Sequence, residues 1–471
     1  MEPSASRILP PPEDFLAEPR TPFGMTLSDK ETRSRIGLPN APEGSPDLGH
    51  PGEARPWPWW QVWGLAFLVR LLGVGFGLWL TPGFLVADDT RGLYYPIARS
   101  LAAGHGFRAN GSYVLGSCAP PLFTLWLALL MRVAGPDLPV WLPGLFNAAF
   151  RAGGVVLLYQ VARRYFGEKA GRWAAVLYLA DPWEALWVGY VLKESLGVPL
   201  LLLTLWMLSR LADEPRARWA WGAGLAIGLA TLARFPNLAL WVAAAGVLLV
   251  GGRTSSAPGG TSWRRTGVLF GYLTAATGIV LLPWVLHNWQ VVGQPVLCPH
   301  FVGRKFYTSN GPGIEMERDG YYSPQGVDRS MVATLAREKT PWQVEGYLLF
   351  TTVRHVATHP QEAAQRVAVK LVNMWQPTFQ NSSSRNWLVL GWPYCLLMGL
   401  SLGGVVLVMR RRTSCPVLWV PLLTLVCLHL VFWGEIRNRQ YLTPLLFAFG
   451  GVALASLRDR LVRRWGDSLS S

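Results

Sequence analysis

Two adjacent carboxylates, Asp88 and Asp89, directly follow the first long apolar stretch of the chain. The next residues form an amphipathic segment that contains Tyr94 and Tyr95 and runs to Phe107. Charged side chains at the edge of the hydrocarbon layer are costly to place, and they are usually functional or interfacial. The pair is therefore the first candidate for chemistry, and the alternative interpretation is a solvated helix end.

The composition indicates a protein that crosses a membrane several times. Of the 471 residues, 51% are hydrophobic and 15% are charged, whereas a soluble protein carries about 25% charged residues. Apolar stretches close to the roughly 20 residues that span a bilayer recur along the chain. The net charge of +15 does not indicate a nucleic-acid partner, because the arginines cluster in short loops between apolar stretches, as topology determinants do.

The placement of basic residues predicts the topology. We expect about ten spans, at 58–80, 142–162, 173–190, 195–211, 219–234, 236–252, 267–287, 388–409, 416–433 and 440–457. The apolar stretch 120–134 is short for a span, and we place it on the outer face as a re-entrant or surface helix. Five basic segments, at 163–172, 210–218, 253–265, 410–412 and 458–464, then fall on the inner side, as the positive-inside rule requires. Both termini are expected to be cytoplasmic, with 81–141 and 288–387 outside.

The cysteines do not form a recognisable metal or disulfide framework. There are five of them, they are scattered, and no Cys-x-x-Cys occurs. Cys395, Cys415 and Cys427 fall in or at the edge of apolar helices. Cys118 and Cys298 both lie in predicted outer loops, so a disulfide between them stays an open alternative if that side is oxidising.

Several short motifs follow one another along the chain after the acidic pair. They are Tyr94-Tyr95-Pro96-Ile97-Ala98, Gly104-His105-Gly106-Phe107, Pro120-Pro121-Leu122, Phe150-Arg151-Ala152-Gly153, Arg164-Tyr165-Phe166-Gly167, Asp181-Pro182-Trp183, Lys193-Glu194-Ser195-Leu196, Gly228-Leu229-Ala230-Thr231-Leu232-Ala233-Arg234-Phe235, Pro283-Trp284-Val285-Leu286-His287-Asn288-Trp289 and Arg437-Asn438-Arg439-Gln440-Tyr441. Over 58–457 the series resembles glycosyltransferase family 39, which includes protein O-mannosyltransferases and lipid A aminoarabinose transferases within the C-type superfamily of membrane glycosyltransferases. One departure is His287, which stands where the family pattern usually has arginine.

The resemblance implies an all-α polytopic membrane protein with a C-type glycosyltransferase helix bundle, juxtamembrane helices and an outer loop cap. It also implies inverting transfer of a sugar from a polyprenyl-phosphate donor to a lipid, glycan or protein acceptor on the outer side. A lipid phosphate is already a fair leaving group, so the reaction needs a base for the acceptor hydroxyl and cations for the departing phosphate. We expect Asp89 to be the base because it lies nearer the two tyrosines, with Asp88 as the alternative.

The resemblance also suggests which cations hold the donor phosphate. Arg437 and Arg439 lie two positions apart at a predicted membrane boundary, where arginine can bind phosphate bidentately. Arg304 and Lys305 form a second basic pair, and His287 could replace the missing arginine. For the two basic pairs the alternative is an ordinary solvated charge or a helix anchor.

Four further residues are predicted to contact the substrate, namely Tyr94, Tyr95, Glu194 and Arg151. Glu194 begins a span on the outer side, where it orients the sugar or, as the alternative, interacts with the helix dipole. Arg151 lies deeper in its helix and pairs internally or contacts lipid phosphate. No cluster of carboxylates or histidines has metal-ligand spacing, and the one cofactor left open is a divalent metal ion held by Asp88, Asp89 and Glu194.

The predicted organisation has five parts. Residues 1–56 lack apolar periodicity and form a disordered cytoplasmic tail. They precede an N-terminal transmembrane catalytic module at 57–287, which includes the outer loop 81–141. An extracytoplasmic loop region at 288–387, C-terminal transmembrane helices at 388–457 and a basic cytoplasmic tail at 458–471 follow.

The composition, rich in Trp, Arg, Gly and Pro, favours a GC-rich bacterial genome and hence the bacterial cytoplasmic membrane, with the active site on the extracytoplasmic side. The expected partners are a polyprenyl-phosphate-linked sugar donor, the acceptor and membrane lipid. Two alternatives stay open: a multi-span transporter or flippase for a lipid-linked or polar substrate, and an inactive family member that acts as an assembly partner. Charges concentrated at one face favour the enzyme, because a transporter would place them deep inside several spans.

Overall fold

The computed structural model describes residues 55–80, 86, 89–139, 141–254, 263–299, 302–314, 340–379 and 382–470. They fall within one compact unit that spans Pro51–Ser471. The predicted tail at 1–56 lies almost entirely outside the described residues, and so does Asp88.

The described chain is built from helices. In order they are α1 (Trp59–Leu80), α2 (Tyr95–Ala102), α3 (Tyr113–Ser117), α4 (Pro121–Ala134), α5 (Trp141–Ala180), α6 (Pro182–Gly189), α7 (Glu194–Asp213), α8 (Ala217–Ala233), α9 (Ala239–Thr254), α10 (Trp263–Val292), α11 (Val302–Asn310), α12 (Pro341–Thr358), α13 (Pro360–Trp375), α14 (Ser384–Arg410), α15 (Pro416–Val431) and α16 (Thr443–Ser470). A π-helical turn covers Thr90–Tyr94, and 3₁₀ helices cover Phe235–Leu238 and Ile436–Tyr441. Within the described residues no β-strand occurs, and Ala109 and Ser112 form an isolated bridge.

Five helices of the described chain are long and apolar enough to cross a membrane, namely α1, α5, α7, α10 and α14. Shorter apolar helices cover Pro121–Ala134, Phe235–Val250 and Pro416–Val431. The all-α polytopic membrane class predicted from the sequence is therefore confirmed. The predicted surface helix at 120–134 is a helix of 14 residues, which is shorter than a bilayer requires.

One pair of predicted spans differs from the structure. The sequence predicts separate helices at 142–162 and 173–190, and within Trp141–Ala180 the backbone does leave helical geometry between them, at Gly167, where φ is 82° and ψ is 171°. The second helix is shorter than predicted. The helix then ends at Ala180 because Pro182 disfavours helical geometry at Asp181. The Asp181 carboxylate accepts a hydrogen bond from the backbone N–H of Trp183 and begins α6 instead.

The main core lies between α1, α5, α7, α8, α14 and α16, with α5 packed against α16, α1 and α7. Small residues allow close helix packing in a membrane. A Cβ atom added to Gly224 of α8 would lie 2.2 Å from the carbonyl oxygen of Leu273 in α10. The absence of a side chain at Gly224 therefore fixes the distance between these two helices.

A smaller core joins the segment after Asp89 to the start of α7. Helices α2 and α4 pack together around Tyr94, Ile97, Phe123 and Leu127, and Val191 completes this group. Because Val191 lies just before α7, the packing brings the segment after Asp89 next to the end of a membrane helix. This is where the candidate site forms.

Candidate functional site

Four charged residues from distant parts of the chain meet at one end of the helix bundle. Arg437 donates from Nη1 to Asp89 Oδ2 at 3.0 Å and from Nε to Glu194 Oε1 at 3.0 Å. The Lys193 ammonium lies 3.9 Å from Asp89 Oδ2 and donates to the Tyr94 hydroxyl at 2.7 Å. The structure therefore brings together Asp89, Tyr94, Glu194 and Arg437, which were predicted separately from the sequence.

Local contacts hold Asp89 in this position. The hydroxyl of Thr90, the next residue, donates to the carbonyl oxygen of Val191 at 2.6 Å. The Tyr94 ring packs edge-on against Phe123, with ring centroids 5.3 Å apart. The turn that follows Asp89 is thus fixed at Thr90 and at Tyr94. The partner of Thr90, Val191, lies two residues before Lys193.

The four charged side chains differ in exposure. Asp89 is 51% exposed, whereas Arg437 is 21%, Lys193 16% and Glu194 1% exposed. The Glu194 side chain is therefore buried, and its carboxylate is paired with Arg437. Asp89 is the carboxylate of this cluster that an incoming molecule can reach.

The electrostatics keep the accessible carboxylate ionised. Partial burial acts to raise the pKa of Asp89, but the Lys193 and Arg437 cations outweigh this effect and lower that pKa. Burial lowers the pKa of Lys193 to about 8, an effect that Arg437 reinforces and Glu194 and Asp89 oppose. At neutral pH the site therefore presents one carboxylate between two cations.

Two more charged residues, Lys305 and Glu435, lie beside this cluster. Lys305 lies over the Trp433 ring, 4.3 Å from its centroid, and interacts electrostatically with Lys193, Asp89 and Glu435. Burial raises the pKa of Glu435, and the nearby Asp89 carboxylate adds to that effect. Four cations, Arg437, Lys193, Lys305 and Arg234, interact with three carboxylates, Asp89, Glu194 and Glu435. The surroundings are therefore net positive and suit an anionic group such as phosphate.

Arg234 supports the loop that carries Arg437. Its Nη2 donates to Asn438 Oδ1 at 2.5 Å, and its guanidinium lies over the Tyr441 ring at 4.4 Å. The side chain is buried, and Nη1 lies 3.3 Å from His429 Nε2. Arg234 thus fixes the 3₁₀ helix Ile436–Tyr441 through its contacts with Asn438 and Tyr441.

Arg439 is not part of this cluster. It donates to the carbonyl oxygen of Gln376 at 2.5 Å, and its guanidinium lies 3.9 Å from the Tyr394 ring centroid and 4.7 Å from that of Trp183. With three residues per turn, side chains two positions apart on a 3₁₀ helix point in different directions. Arg437 therefore faces Asp89, while Arg439 attaches the end of α13.

Arg151 belongs to a separate buried network. It donates to Glu184 at 2.5 Å, to Gln440 Oε1 at 2.7 Å and to Ser195 Oγ at 3.3 Å. Arg70 lies 3.9 Å from the same Glu184 carboxylate. The structure thus shows the internal pairing that was one of the two sequence-based interpretations of Arg151.

The remaining predicted site residues lie in other surroundings. His287 stacks on Trp284 and contacts Phe107, with centroid distances of 5.0 and 5.3 Å. Tyr95, one residue further along the helix than Tyr94, is half-buried and has Arg99 as its charged neighbour. The backbone N–H of Arg304 donates to Glu345 Oε2 at 3.3 Å. None of the contacts that the structure describes brings these three side chains to Asp89.

A metal site was left open by the sequence. Across the part of the chain that the structure describes, no three side chains of His, Cys, Asp or Glu are grouped closely enough to hold a metal ion. Glu194 is engaged by Arg437, and Asp88, the third predicted ligand, lies outside the described residues.

Lys193, Arg234 and Glu435 were not assigned to the site from the sequence. Each could be recognised in the sequence as a candidate, because each is a charged residue at the end of an apolar stretch. Lys193 directly precedes the predicted Glu194, and Arg234 closes the glycine-rich motif. What the sequence does not show is that these ends meet.

The comparisons with known proteins agree with these observations. Residues 119–285 match the family model described as dolichyl-phosphate-mannose-protein mannosyltransferase. This region contains Lys193, Glu194 and Arg234, whereas Asp89 and Arg437 lie outside it. A comparison with curated protein sequences gives no match.

Solved structures show a similar fold. The archaeal oligosaccharyltransferase AglB from Archaeoglobus fulgidus, in complex with an inhibitory peptide and a dolichol-phosphate, matches with a TM-score of 0.50 and 14% identity, over 88% of this chain and 52% of that chain. Its apo form matches with a TM-score of 0.51 and 14% identity, over 87% and 52%. ArnT from Cupriavidus metallidurans bound to undecaprenyl phosphate matches with a TM-score of 0.43 and 15% identity, over 84% and 77%.

The chain spans about half the length of the archaeal enzyme that it matches. At this level of identity the likeness concerns the fold, and the family model adds a sequence match over 119–285. The resemblance drawn from the motifs is thereby confirmed, and the chain has the fold of the C-type membrane glycosyltransferases.

Proposed function

We propose that this chain is an inverting glycosyltransferase that moves a hexosyl or pentosyl group from a polyprenyl-phosphate donor to an acceptor on the extracytoplasmic side of the membrane. One observation carries the proposal. The half-exposed Asp89 carboxylate lies 3.0 Å from Arg437 and 3.9 Å from Lys193 at one end of a membrane helix bundle. A base beside two cations is what the transfer requires, because one proton must leave the acceptor while negative charge develops on the phosphate.

In this mechanism Asp89 accepts the proton of the acceptor hydroxyl. Arg437 and Lys193 stabilise the departing lipid phosphate, and Lys305 adds positive charge beside them. The oxygen of the acceptor attacks the anomeric carbon from the face opposite the phosphate. Within the described cluster Asp89 is the acid that a substrate can reach, since Glu194 is 1% exposed. One accessible carboxylate favours a single displacement, which inverts the anomeric configuration.

The donor would activate the base. In the structure Arg437 and Lys193 lower the pKa of Asp89 despite its partial burial. When a phosphate binds the same two cations, it competes with Asp89 for them, and the pKa of Asp89 rises towards its ordinary value. A carboxylate with a higher pKa takes up a proton more readily. Asp89 thus becomes a better base once the donor is in place.

The identities of the substrates follow from chemistry and from the matched proteins. The family model is named for a dolichyl-phosphate-mannose donor, and AglB was solved with a dolichol-phosphate. We therefore assign a polyprenyl-phosphate sugar to the cationic cluster. The acceptor is a lipid, glycan or protein with a free hydroxyl, and the protein resides in the bacterial cytoplasmic membrane.

The test is sugar transfer in liposomes that contain the full chain. Radiolabelled polyprenyl-phosphate mannose and other polyprenyl-linked sugars serve as donors, and a membrane extract serves as acceptor. We expect Asp89→Asn to lower the transfer rate by about 10²- to 10⁴-fold. Asp88→Asn tests the alternative base. Asp137→Asn is the matched control, because this acid lies in the same outer segment, is 91% exposed and pairs with Arg99.

Three results would contradict the proposal in different ways. Full activity of Asp89→Asn would remove Asp89 from the mechanism. A product with retained anomeric configuration, measured by NMR, would exclude the single displacement. If the wild type transferred sugar from none of the donors but moved labelled lipid or sugar across the bilayer, the transporter or flippase alternative would replace the transferase.

A further inference from the structure

Two cysteines far apart in the sequence lie side by side. Cys298 Sγ is 3.9 Å from the backbone carbonyl oxygen of Cys118, although 180 positions separate the two residues. Both are half-buried. Both also lie outside the helices of the described chain that are long enough to cross a membrane.

Contacts that do not involve sulfur hold both segments in place. Cys118 follows α3, which packs against α10. The Phe107 ring lies against Trp284 of α10, with centroids 4.9 Å apart. On the other side, Trp284 Nε1 donates to the carbonyl oxygen of Leu297 at 2.8 Å. One tryptophan therefore contacts both the segment that leads to Cys118 and the residue before Cys298.

The two segments flank the candidate site. Cys118 lies in the outer segment that begins at Asp89. Cys298 precedes α11, which carries Lys305, and it interacts electrostatically with that lysine. A covalent link here would restrain the chain on both sides of the cluster.

We propose that Cys118 and Cys298 form a disulfide that links the outer segment after Asp89 to the segment before Lys305. The inference rests on the proposed function for the side of the membrane, because disulfides persist on the oxidising, extracytoplasmic side. The bond forms by exchange with a dithiol–disulfide oxidoreductase. One cysteine thiolate attacks the donor disulfide, and the second then attacks the mixed disulfide. Two thiols of this chain are oxidised, one donor disulfide is reduced to two thiols, and the protons pass to those thiols.

The first test maps peptides of the full chain isolated from membranes. Thiols are blocked with N-ethylmaleimide at cell lysis, so that no bond forms during purification. Without reductant, we expect one cross-linked peptide pair that contains Cys118 and Cys298. Of the five cysteines, three should carry N-ethylmaleimide after denaturation without reductant, and the other two should react with a second thiol reagent only after reduction.

Variants distinguish a specific bond from random oxidation. Cys118→Ser and Cys298→Ser should each lose the cross-linked pair, whereas the control Cys427→Ser should keep it. Reductant should lower the thermal unfolding temperature of the wild type and leave that of the double serine variant unchanged. A disulfide restrains the unfolded chain, and this one closes a long loop.

The outcomes separate this inference from the proposed function. Alkylation of both Cys118 and Cys298 in the unreduced wild type would overturn the disulfide, and so would a cross-link that contains another cysteine. An active transferase with both thiols alkylated means that the disulfide inference alone has failed. A protein with the bond but without transfer activity means that the proposed function alone has failed.

Discussion

Replacing Arg437 by methionine is expected to affect stability and activity through two different partners. The guanidinium lies 3.0 Å from Glu194, which is 1% exposed, and 3.0 Å from Asp89, which is 51% exposed. Opposite charges about 4 Å apart interact with about 4 kcal/mol at an effective dielectric constant of 20. Removing one partner of a buried ion pair costs about 3–5 kcal/mol, because the other charge stays buried without compensation. Loss of the exposed contact to Asp89 adds about 1 kcal/mol or less.

Neighbouring cations reduce this cost. Lys193 and Arg234 also interact electrostatically with Glu194. We therefore expect the free energy of unfolding to fall by about 3 kcal/mol in Arg437→Met, near the lower end of the range for buried pairs. Glu194→Gln in the same chain removes the orphaned charge. The double variant should recover most of the lost stability, which is the sign of direct coupling in a double-mutant cycle.

Activity is expected to behave differently. The double variant has no Arg437 to stabilise the departing phosphate, so its transfer rate should stay as low as that of Arg437→Met alone. The measurements are unfolding in mixed micelles with increasing denaturing detergent, and the KM and kcat for the lipid donor in liposomes. Arg99→Met is the matched control. Its pair with Asp137 has a similar distance, 2.9 Å, but is 54% and 91% exposed, and such pairs contribute about 1 kcal/mol or less.

Two results would refute this reasoning. A double variant as unstable as Arg437→Met would mean that the burial of Glu194 does not determine the cost. A double variant that regains transfer activity would mean that Arg437 acts only by neutralising Glu194 and does not contact the donor.

Three further predictions concern pH and packing. Although burial acts to raise the pKa of Asp89, its neighbouring cations lower it, so the basic carboxylate should persist until the pH falls below about 4; transfer that is already lost near pH 6 would contradict this. Burial lowers the pKa of Lys193 to about 8, so its cation disappears as the pH rises through that value, and Lys193→Arg should move the alkaline limb of the rate profile upwards. Gly224→Ala places a Cβ 2.2 Å from the carbonyl oxygen of Leu273 and should destabilise the protein by about 1–3 kcal/mol. Gly271→Ala, with nothing within 4 Å of the new Cβ, should leave stability nearly unchanged.

The individual members of the site could be predicted from the sequence because charges stand out in an apolar chain. Asp89, Glu194 and Arg437 each lie at the end of an apolar stretch, where an ionised side chain is costly to place and is usually functional. Their contact could not be predicted, since 348 positions separate Asp89 from Arg437. Only the packing of the helix bundle decides which ends meet.

Local backbone geometry explains why some residues that were predicted to act together lie apart in the structure. Arg437 and Arg439 look equivalent in the sequence, but the 3₁₀ helix between Ile436 and Tyr441 turns them to different neighbours. The sequence also suggests a break in the basic segment within α5. Gly167 supplies that break, because its backbone is not helical, but the sequence did not predict that the second helix ends at Asp181-Pro182. Backbone details of this kind depend on single residues that periodicity does not resolve.

The ion pairs around Glu184 and those around Asp89 differ in how exposed their side chains are, and this difference determines how easily a ligand can replace one partner. Glu184 lies 2.5 Å from Arg151 and 3.9 Å from Arg70, and all three are at most 1% exposed. A ligand that took Arg151 would break the shorter of these two buried ion pairs, and breaking a buried pair costs about 3–5 kcal/mol. At the other cluster, a phosphate that takes Arg437 from Asp89 leaves a carboxylate that water can solvate, and exposed pairs are worth about 1 kcal/mol or less. Exchange of ion-pair partners therefore costs much less free energy at Asp89 than at Glu184, which supports the catalytic role that we propose for Asp89.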